Sequence, residues 1–510
     1  MSGQNVIGLN EPNSYRLISC VISNNEGRQW DVTDQIDSFE ITESIYQMFI
    51  TGSATFVENN NVFNRINFTG QEYIRLHFSG IKGMGEERDE EEQVNQVYRI
   101  YSIPTYARDT QTDLSKVAYG VQFCSPLLYE ARTKRLSQHF TGTNGQIIDK
   151  ICTEHLNFEE NNNSQNTSEP LVKGGKELGN VFNTLADNVG SVKGFLCPNW
   201  TIHKALKHLR DHCEDDSESA MPYGNSYYFY QTATQGFRFH NISSMMNIKY
   251  LNGGRTFEVR DSELGIKDDF DDIFGIGSDI LNYNKSDMYN TIRGHNHGLY
   301  ASHILNYDTV NKQITDIDFE FTQQFKLDDE GFYEKPGVVT ISKAPPFRLG
   351  DESIRIPQDD QVVGEGIPLP IAPIAYKQDS ITKRHNAAIH FDYNTPHKFS
   401  LLDNNTTTGS AHCKTNRERV EALLTTNRIN VMISGRTNIT CGMMIKVDIA
   451  QPTLGGGFVS SFDQNDFLLI EAVTWRGSAH GLECHLSCTT DGFQKQIEVD
   501  PEPDRTDGDI

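Results

Sequence analysis

Thr51-Gly52-Ser53-Ala54-Thr55-Phe56, followed by Gly70-Gln71-Glu72-Tyr73-Ile74-Arg75-Leu76, is the stretch that decides the fold. Ala54 and Phe56, then Ile74, Leu76 and Phe78, recur at every second position with polar residues between them. Successive side chains of a strand point to opposite faces, so this period of two specifies antiparallel sheet with one buried side. Upstream, Leu17, Ser19, Ile41 and Ile45 carry the same spacing. Turn chemistry at Asn24-Asn25-Glu26-Gly27, at Glu58-Asn59-Asn60-Asn61 and over residues 80–85 punctuates the strands. A first β domain is expected over residues 1–135.

The text then changes. Gly145, Ile147, Ile148 and Ile151 suggest a helix, and residues 159–168, rich in Asn and Ser, read as a loop. After Pro198, Asn199 is expected to cap a second helix with Ile202, Leu206, Leu209 and Cys213 on one face, leading to aromatic strands at residues 227–230 and 237–240. Residues 136–260 thus form an α/β linker domain. Strands follow at 279–284 and 301–308. Residues 326–410, rich in Pro, Asp and Gln, read as an insertion between the first part (261–325) and second part (411–492) of a second β domain. That second part begins with a helix stripe of Val420, Leu423 and Leu424 and continues into strands around Ile429, Ile445, Leu468 and Leu482. Residues 493–510 form an acidic tail. The fold class expected is mixed β-rich α+β.

The 510 residues carry 45 basic and 69 acidic side chains, a net charge of −24, which argues against binding nucleic acid or anionic lipid over a broad surface. Acidic runs at 86–92 and 214–216 read as solvated faces. Nine cysteines without a regular framework, and a polar start, imply a reducing cytoplasm with no signal peptide. No apolar run is long enough for a membrane anchor.

Local chemistry is sparse. His203, His208, His212 and Cys213 gather on the second helix, with His208 and His212 at i, i+4, yet the His-Glu-x-x-His signature is absent and an ordinary polar helix face accounts for them. Cys484 and Cys488 lie on the same sheet face, one position too far apart for Cys-x-x-Cys, and read as buried thiols. Gly275-Ile276-Gly277 lacks the third glycine of a dinucleotide loop and reads as a turn. Neither a phosphate-binding loop nor a nucleophile elbow occurs. No catalytic, cofactor or metal residue is assigned.

The order of three segments resembles the opening of contractile-tail baseplate hub proteins, including the T-even phage hub: Ser44-Ile45-Tyr46, then residues 51–56, then residues 70–76. Trp200-Thr201 before an aromatic strand, and residues 430–448 with Gly435, Ile439, Gly442 and Ile445, extend the match in the same order. The chain departs from that pattern at 159–168 and 326–400, which affects peripheral contacts. The resemblance implies two tail-tube-like antiparallel β-barrel domains per chain and a homotrimer that presents six such domains to a hexameric tube and a threefold face to a trimeric spike. It implies as partners the central spike protein, the tail tube or tube-initiator protein, the baseplate wedge proteins and the tape measure protein. Genome DNA would pass through the ring without sequence-specific binding, past an acidic lumen, and the protein would sit in the virion's tail baseplate after assembly in the host cytoplasm. It implies no enzyme. The alternative is a baseplate-associated cell-wall-degrading hydrolase, for which no motif speaks. A receptor-binding fibre would carry internal repeats, and none is present.

Overall fold

The computed structural model describes residues 15–80, 93–108, 116–156, 193–213, most of 223–247, the strands and single positions named below between 256 and 394, and most of 410–492. The expected loop at 159–168, the acidic runs 86–92 and 214–216, Gly275-Ile276-Gly277 and the tail 493–510 lie outside the described residues.

The first half is an antiparallel sheet of β1 (Tyr15–Ser23), β2 (Gln29–Asp31), β3 (Ile36–Ser44), β4 (Thr51–Glu58), β5 (Tyr73–Gly80), β6 (Val94–Arg108) and β7 (Val117–Cys124), in which β1 pairs with β5 and β4 with β7, with helix α1 (Val62–Ile66) between β4 and β5. Alternation is clean in β5, where Ile74, Leu76 and Phe78 are fully buried between half-exposed neighbours. Ile45 is also buried, but it lies in the turn after β3 rather than on a strand. Helix α1 starts because Glu58 bends back: its carboxylate accepts the N–H groups of Val62 (2.6 Å) and Phe63 (2.8 Å), two of the donors that a helix start leaves open. Glu72 does the same for the turn before β5. It accepts from the N–H groups of Thr69, Gly70 and Gln71 and from the Thr69 hydroxyl, all within 3.0 Å.

A helical unit follows: α2 (Pro126–Thr133), β8 (Arg135–Leu136), β9 (His139–Gly142), α3 (Asn144–Leu156), β10 (Lys193–Leu196), β11 (Trp200–Thr201), α4 (Ile202–Asp211), β12 (Tyr227–Thr232), β13 (Gly236–Asn241) and α5 (Ile242–Asn247). The cap of α4 is Thr201, whose hydroxyl accepts the Lys204 N–H at 3.3 Å, and not Asn199 as the sequence suggests. Asn199 sits two residues too early, in a left-handed turn at φ +54° that Asn tolerates better than most residues. The hairpin β12–β13 lies between two cores. Tyr228 and Tyr230 enter the core of the large sheet, while Tyr227, Phe229, Phe237 and Phe239 pack with Ile147, Ile151, Leu206 and Leu209 of α3 and α4. Both faces of β12 are buried, which is why its sequence is an unbroken aromatic run.

The remaining elements are β14 (Thr256–Val259), β15 (Asp279–Met288), β16 (Ala301–Asp308), β17 (Gln313–Glu320), β18 (Ile354–Ile356), β19 (Ile367–Leu369), β20 (Ala388–Asn394), α6 (Ser410–Leu424), β21 (Asn427–Ser434), β22 (Met444–Asp448), β23 (Ala450–Pro452), β24 (Phe458–Ser460), β25 (Phe467–Ser478) and β26 (Gly481–Thr489). Thirteen strands join in one sheet, in the order β2-β1-β5-β6-β7-β4-β3-β25-β22-β14-β15-β21-β26. It is antiparallel except at β14, which pairs parallel to β22 and β15. Strand β26 also pairs with β25, so the pairings of the second half return to the strand they start from. The two halves meet at β3 and β25, antiparallel over seven residue pairs from Ala472↔Ser44 to Ser478↔Ser38. One hydrophobic core runs beneath that seam, with Phe39 and Ile41 of β3 in the same cluster as Val473 and Trp475 of β25. The result is β-rich, with a large and mainly antiparallel sheet and few helices.

Candidate functional site

Because β3 and β25 pair in register, the outward side chains of the two halves form continuous rows. In one, Ser102, Gln122, Ser53, Glu40, Arg476 and Glu483 are successive partners across six strands. In the next, Thr51, Thr42, Thr474, His485, Met432 and Asn282 follow one another. Hydroxyls and amides predominate; Arg476 Nε lies 3.0 Å from Glu40 Oε2, and His485 Nε2 lies within hydrogen-bond reach of Glu483 Oε2 at 3.2 Å. The hydroxyls of Thr42 and Thr474 meet at 3.1 Å over the seam. A shallow concavity of about 320 Å³ indents this face, with Asn282, Asn284, Asn430, Thr474, Arg476 and His485 among its lining. Chemically this is a broad polar wall with few charges.

Under the wall the two halves and the helical unit are tied by buried polar groups. Glu43, on the inward side of β3 with Phe39 and Ile41, is fully enclosed, and its two oxygens accept the N–H of Ala233 (2.7 Å) from the β12–β13 hairpin and of Cys441 (2.8 Å) from the loop before β22. Burial pushes its carboxyl up to about 8, against the pull of those N–H donors. Glu471 on β25 pairs with Arg428 at 2.8 Å and accepts the Tyr46 hydroxyl at 2.5 Å, yet burial still holds its pKa above the usual carboxylate range. Arg417 on α6 reaches Asp211 (3.1 Å), Glu421 (3.0 Å) and the Tyr227 carbonyl (2.8 Å) while lying over the Tyr228 ring at 4.5 Å. Arg210 shares the same Asp211 oxygen at 2.8 Å. Each of these buried carboxylates already holds backbone amides, arginine or tyrosine. They act as staples between segments distant in sequence.

His203, His208, His212 and Cys213 are brought together only loosely. His203 stacks on Phe49, while His208 packs between Phe195 and Trp200 and meets the His212 ring at 4.0 Å. His212 Nδ1 faces the His208 carbonyl oxygen at 2.7 Å, and Cys213 is fully buried beyond the end of α4. Among the described residues no group of three or more His, Cys, Asp or Glu side chains converges as a metal site. Cys484 and Cys488 are buried free thiols, and burial pushes both up. Sequence reasoning missed Glu43, Arg417 and Glu471. A signal existed for Glu43 alone, which shares the inward parity of Phe39 and Ile41.

No protein-family description matches the chain. No curated protein matches it either. Among solved structures it is similar to the 43 kDa tail protein of prophage MuSo2 from Shewanella oneidensis (9% identity, 93% of this chain and 98% of that one, TM-score 0.43) and to a tail protein from Neisseria meningitidis MC58 (7%, 94% and 97%, TM-score 0.43). It is also similar to an E. coli type VI secretion component described as resembling T4 bacteriophage tail proteins (8%, 95% and 79%, TM-score 0.38). At these TM-scores the likeness carries no functional weight.

Proposed function

We propose that the chain is a structural virion protein, the trimeric hub that joins a hexameric tail tube to a trimeric central spike in a contractile-tail baseplate. The observation that carries this reading is the seam: strands 432 positions apart place two β units side by side in one chain with a continuous polar face across both. Two similar units per chain, taken three times, give the six places that a sixfold tube requires while keeping the threefold axis a spike requires. The pairing of β26 back to β25, which closes a ring of β25, β22, β14, β15, β21 and β26, supports reading the second unit, residues 261–325 with 411–492, as tube-like, although β14 precedes those bounds and β16 and β17 pair in a separate sheet with β20; the antiparallel sheet β1–β7 supports the first, residues 1–135. The order of the quoted sequence segments supports the family. Residues 136–260 are then the linker domain, and 326–410 an insertion at the periphery.

In this reading the shared polar face is the channel wall. Small hydroxyls and amides offer little for a polyphosphate to hold, and Arg476 is neutralised by Glu40. The protein acts by geometry and not by catalysis; its buried carboxylates serve as staples. Light scattering on the purified chain, alone and mixed with a trimeric spike protein from the same source, tests the proposal. A trimer, or a monomer that becomes a three-to-three complex, is expected. A monomer indifferent to the spike would sink it.

A further inference from the structure

The two halves repeat one another in the pairing of their strands. In the first, β5 meets the start of β6 through Tyr73↔Arg99 and Ile74↔Tyr98, and the Ile100 N–H donates to the Glu72 carbonyl at 2.9 Å. In the second, β22 meets the start of β25 through Met444↔Leu469 and Ile445↔Leu468, and the Ile470 N–H donates to the Met443 carbonyl at 2.8 Å. Both long strands then break register at the next step, between Ile100 and Ser102 and between Ile470 and Ala472, as they run against β7 and β26. Those strands carry β4 and β21 on their other sides, and beyond these lie β3 and β15. Ile36 of β3 and Ile280 of β15 precede the same irregularity. Position for position, β25 is the counterpart of β6, and β3 is the counterpart of β15.

The seam uses one strand of each kind, β25 and β3. Their counterparts are left with open edges: among the described residues no strand pairs with the outer side of β6 over 101–107, nor with that of β15 over 281–286. Burial differs accordingly. Trp475 and Phe39, which the seam brings into one core, are 0% and 3% exposed, whereas their counterparts Tyr106 and Tyr283 are 49% and 39% exposed. An open edge beside an uncovered aromatic ring is a template for another strand.

We propose that β6 of one chain pairs antiparallel with β15 of a second copy, repeating between chains the seam that β25 and β3 form within one. The seam's register carries over: Trp475↔Ile41 becomes Tyr106↔Lys285, and Arg476↔Glu40 becomes Ala107↔Asn284. A second copy is the occupant because it alone presents the counterpart edge in the counterpart register. Each chain offers one edge of each kind, so the contact is head-to-tail and builds a ring. Within the trimeric hub reading, on which this inference rests, three such contacts alternate with three seams, and the polar wall continues across every junction.

Disulfide trapping tests the register. Ala107 and Asn284 are exposed, so cysteines there leave folding intact, and cysteines directly opposite on antiparallel strands come within bonding reach. E40C/R476C, at the counterpart position of the seam, is the control and should close within one chain. Full-length A107C/N284C, oxidised in the state that light scattering shows to be trimeric, alone or with the spike, is expected to run as covalent dimers and trimers on a non-reducing gel. A107C and N284C separately should stay single chains. A trimer in which the control closes while A107C/N284C stays as single chains overturns the inference and spares the hub reading. A chain that remains monomeric with the spike sinks both.

Discussion

At the scale of single residues, Glu43 is where a local rule is broken most plainly. An inward strand position holds a carboxyl, and its cost is set by burial against two N–H donors. Its pKa rises from 4.5 in the unfolded chain to about 8 in the fold. The stability it contributes is therefore complete below pH 4.5 and is lost as pH rises through 8, a change of about 3 kcal/mol by pH 7 at about 1.4 kcal/mol per unit. Urea unfolding of the parent and of E43Q across pH 4.5–8.5 should show a shallower pH slope in the variant; parallel curves would mean that Glu43 does not titrate in this window. Gly442 is a second such residue. Its φ is +80°, and an added Cβ would lie 2.0 Å from the Tyr230 hydroxyl. G442A should lose about 2–4 kcal/mol from left-handed strain and overpacking together, read from the shift of the urea midpoint at constant slope.

At the scale of elements, strands whose two faces meet different media were legible in the sequence, since Ile74, Leu76 and Phe78 alternate with polar neighbours. The aromatic β12–β13 hairpin was legible as strands, but not as the layer between two cores, because an unbroken apolar run has no face to read. Partner choice was illegible. Register between β3 and β25 is fixed by side chains 432 positions apart, and nothing local in either strand names the other. The candidate wall was hidden for the same reason: its Ser, Thr and Asn residues look like ordinary solvent faces until pairing aligns them. The cap of α4 failed by a shorter margin, since Asn199 and Thr201 are both good capping residues and only the chain's path decides. Contacts between elements lean on Arg417, which joins α6 to α4 and β12. R417M should cost about 1–3 kcal/mol, chiefly by removing the side-chain donor to the Tyr227 carbonyl while Arg210 still holds Asp211, and removing both Arg417 and the Asp211 carboxylate should cost less than the sum, as a double-mutant cycle would show.

At the scale of the whole molecule, acidity and sheet architecture answer different questions. The net charge of −24 is spread over the chain, while the described rows of the wall carry Glu40 and Glu483 against Arg476 and His485. If that wall lines a DNA channel, its two carboxylates matter more than the total. In assembled particles, E40K with E483K should slow genome ejection measurably, because the lysines would hold phosphates that now slide past. Unchanged ejection kinetics would count against the wall as a channel lining.

The seam also sets a schedule for synthesis. Strand β3 leaves the ribosome with one edge paired to β4, but its other partner, β25, is still some 430 codons away. At about 5–20 residues per second this is a wait of about 20–90 s. Throughout that interval the nascent first half carries an unpaired edge beside Phe39 and Ile41, with the Phe39 ring packed on Tyr15 and Phe78 but not yet on β25. Where several copies are translated on one message, the nearest strand available to that edge belongs to the neighbouring ribosome's chain. The yield of folded protein should therefore rise when initiation is slowed and ribosomes are spaced apart.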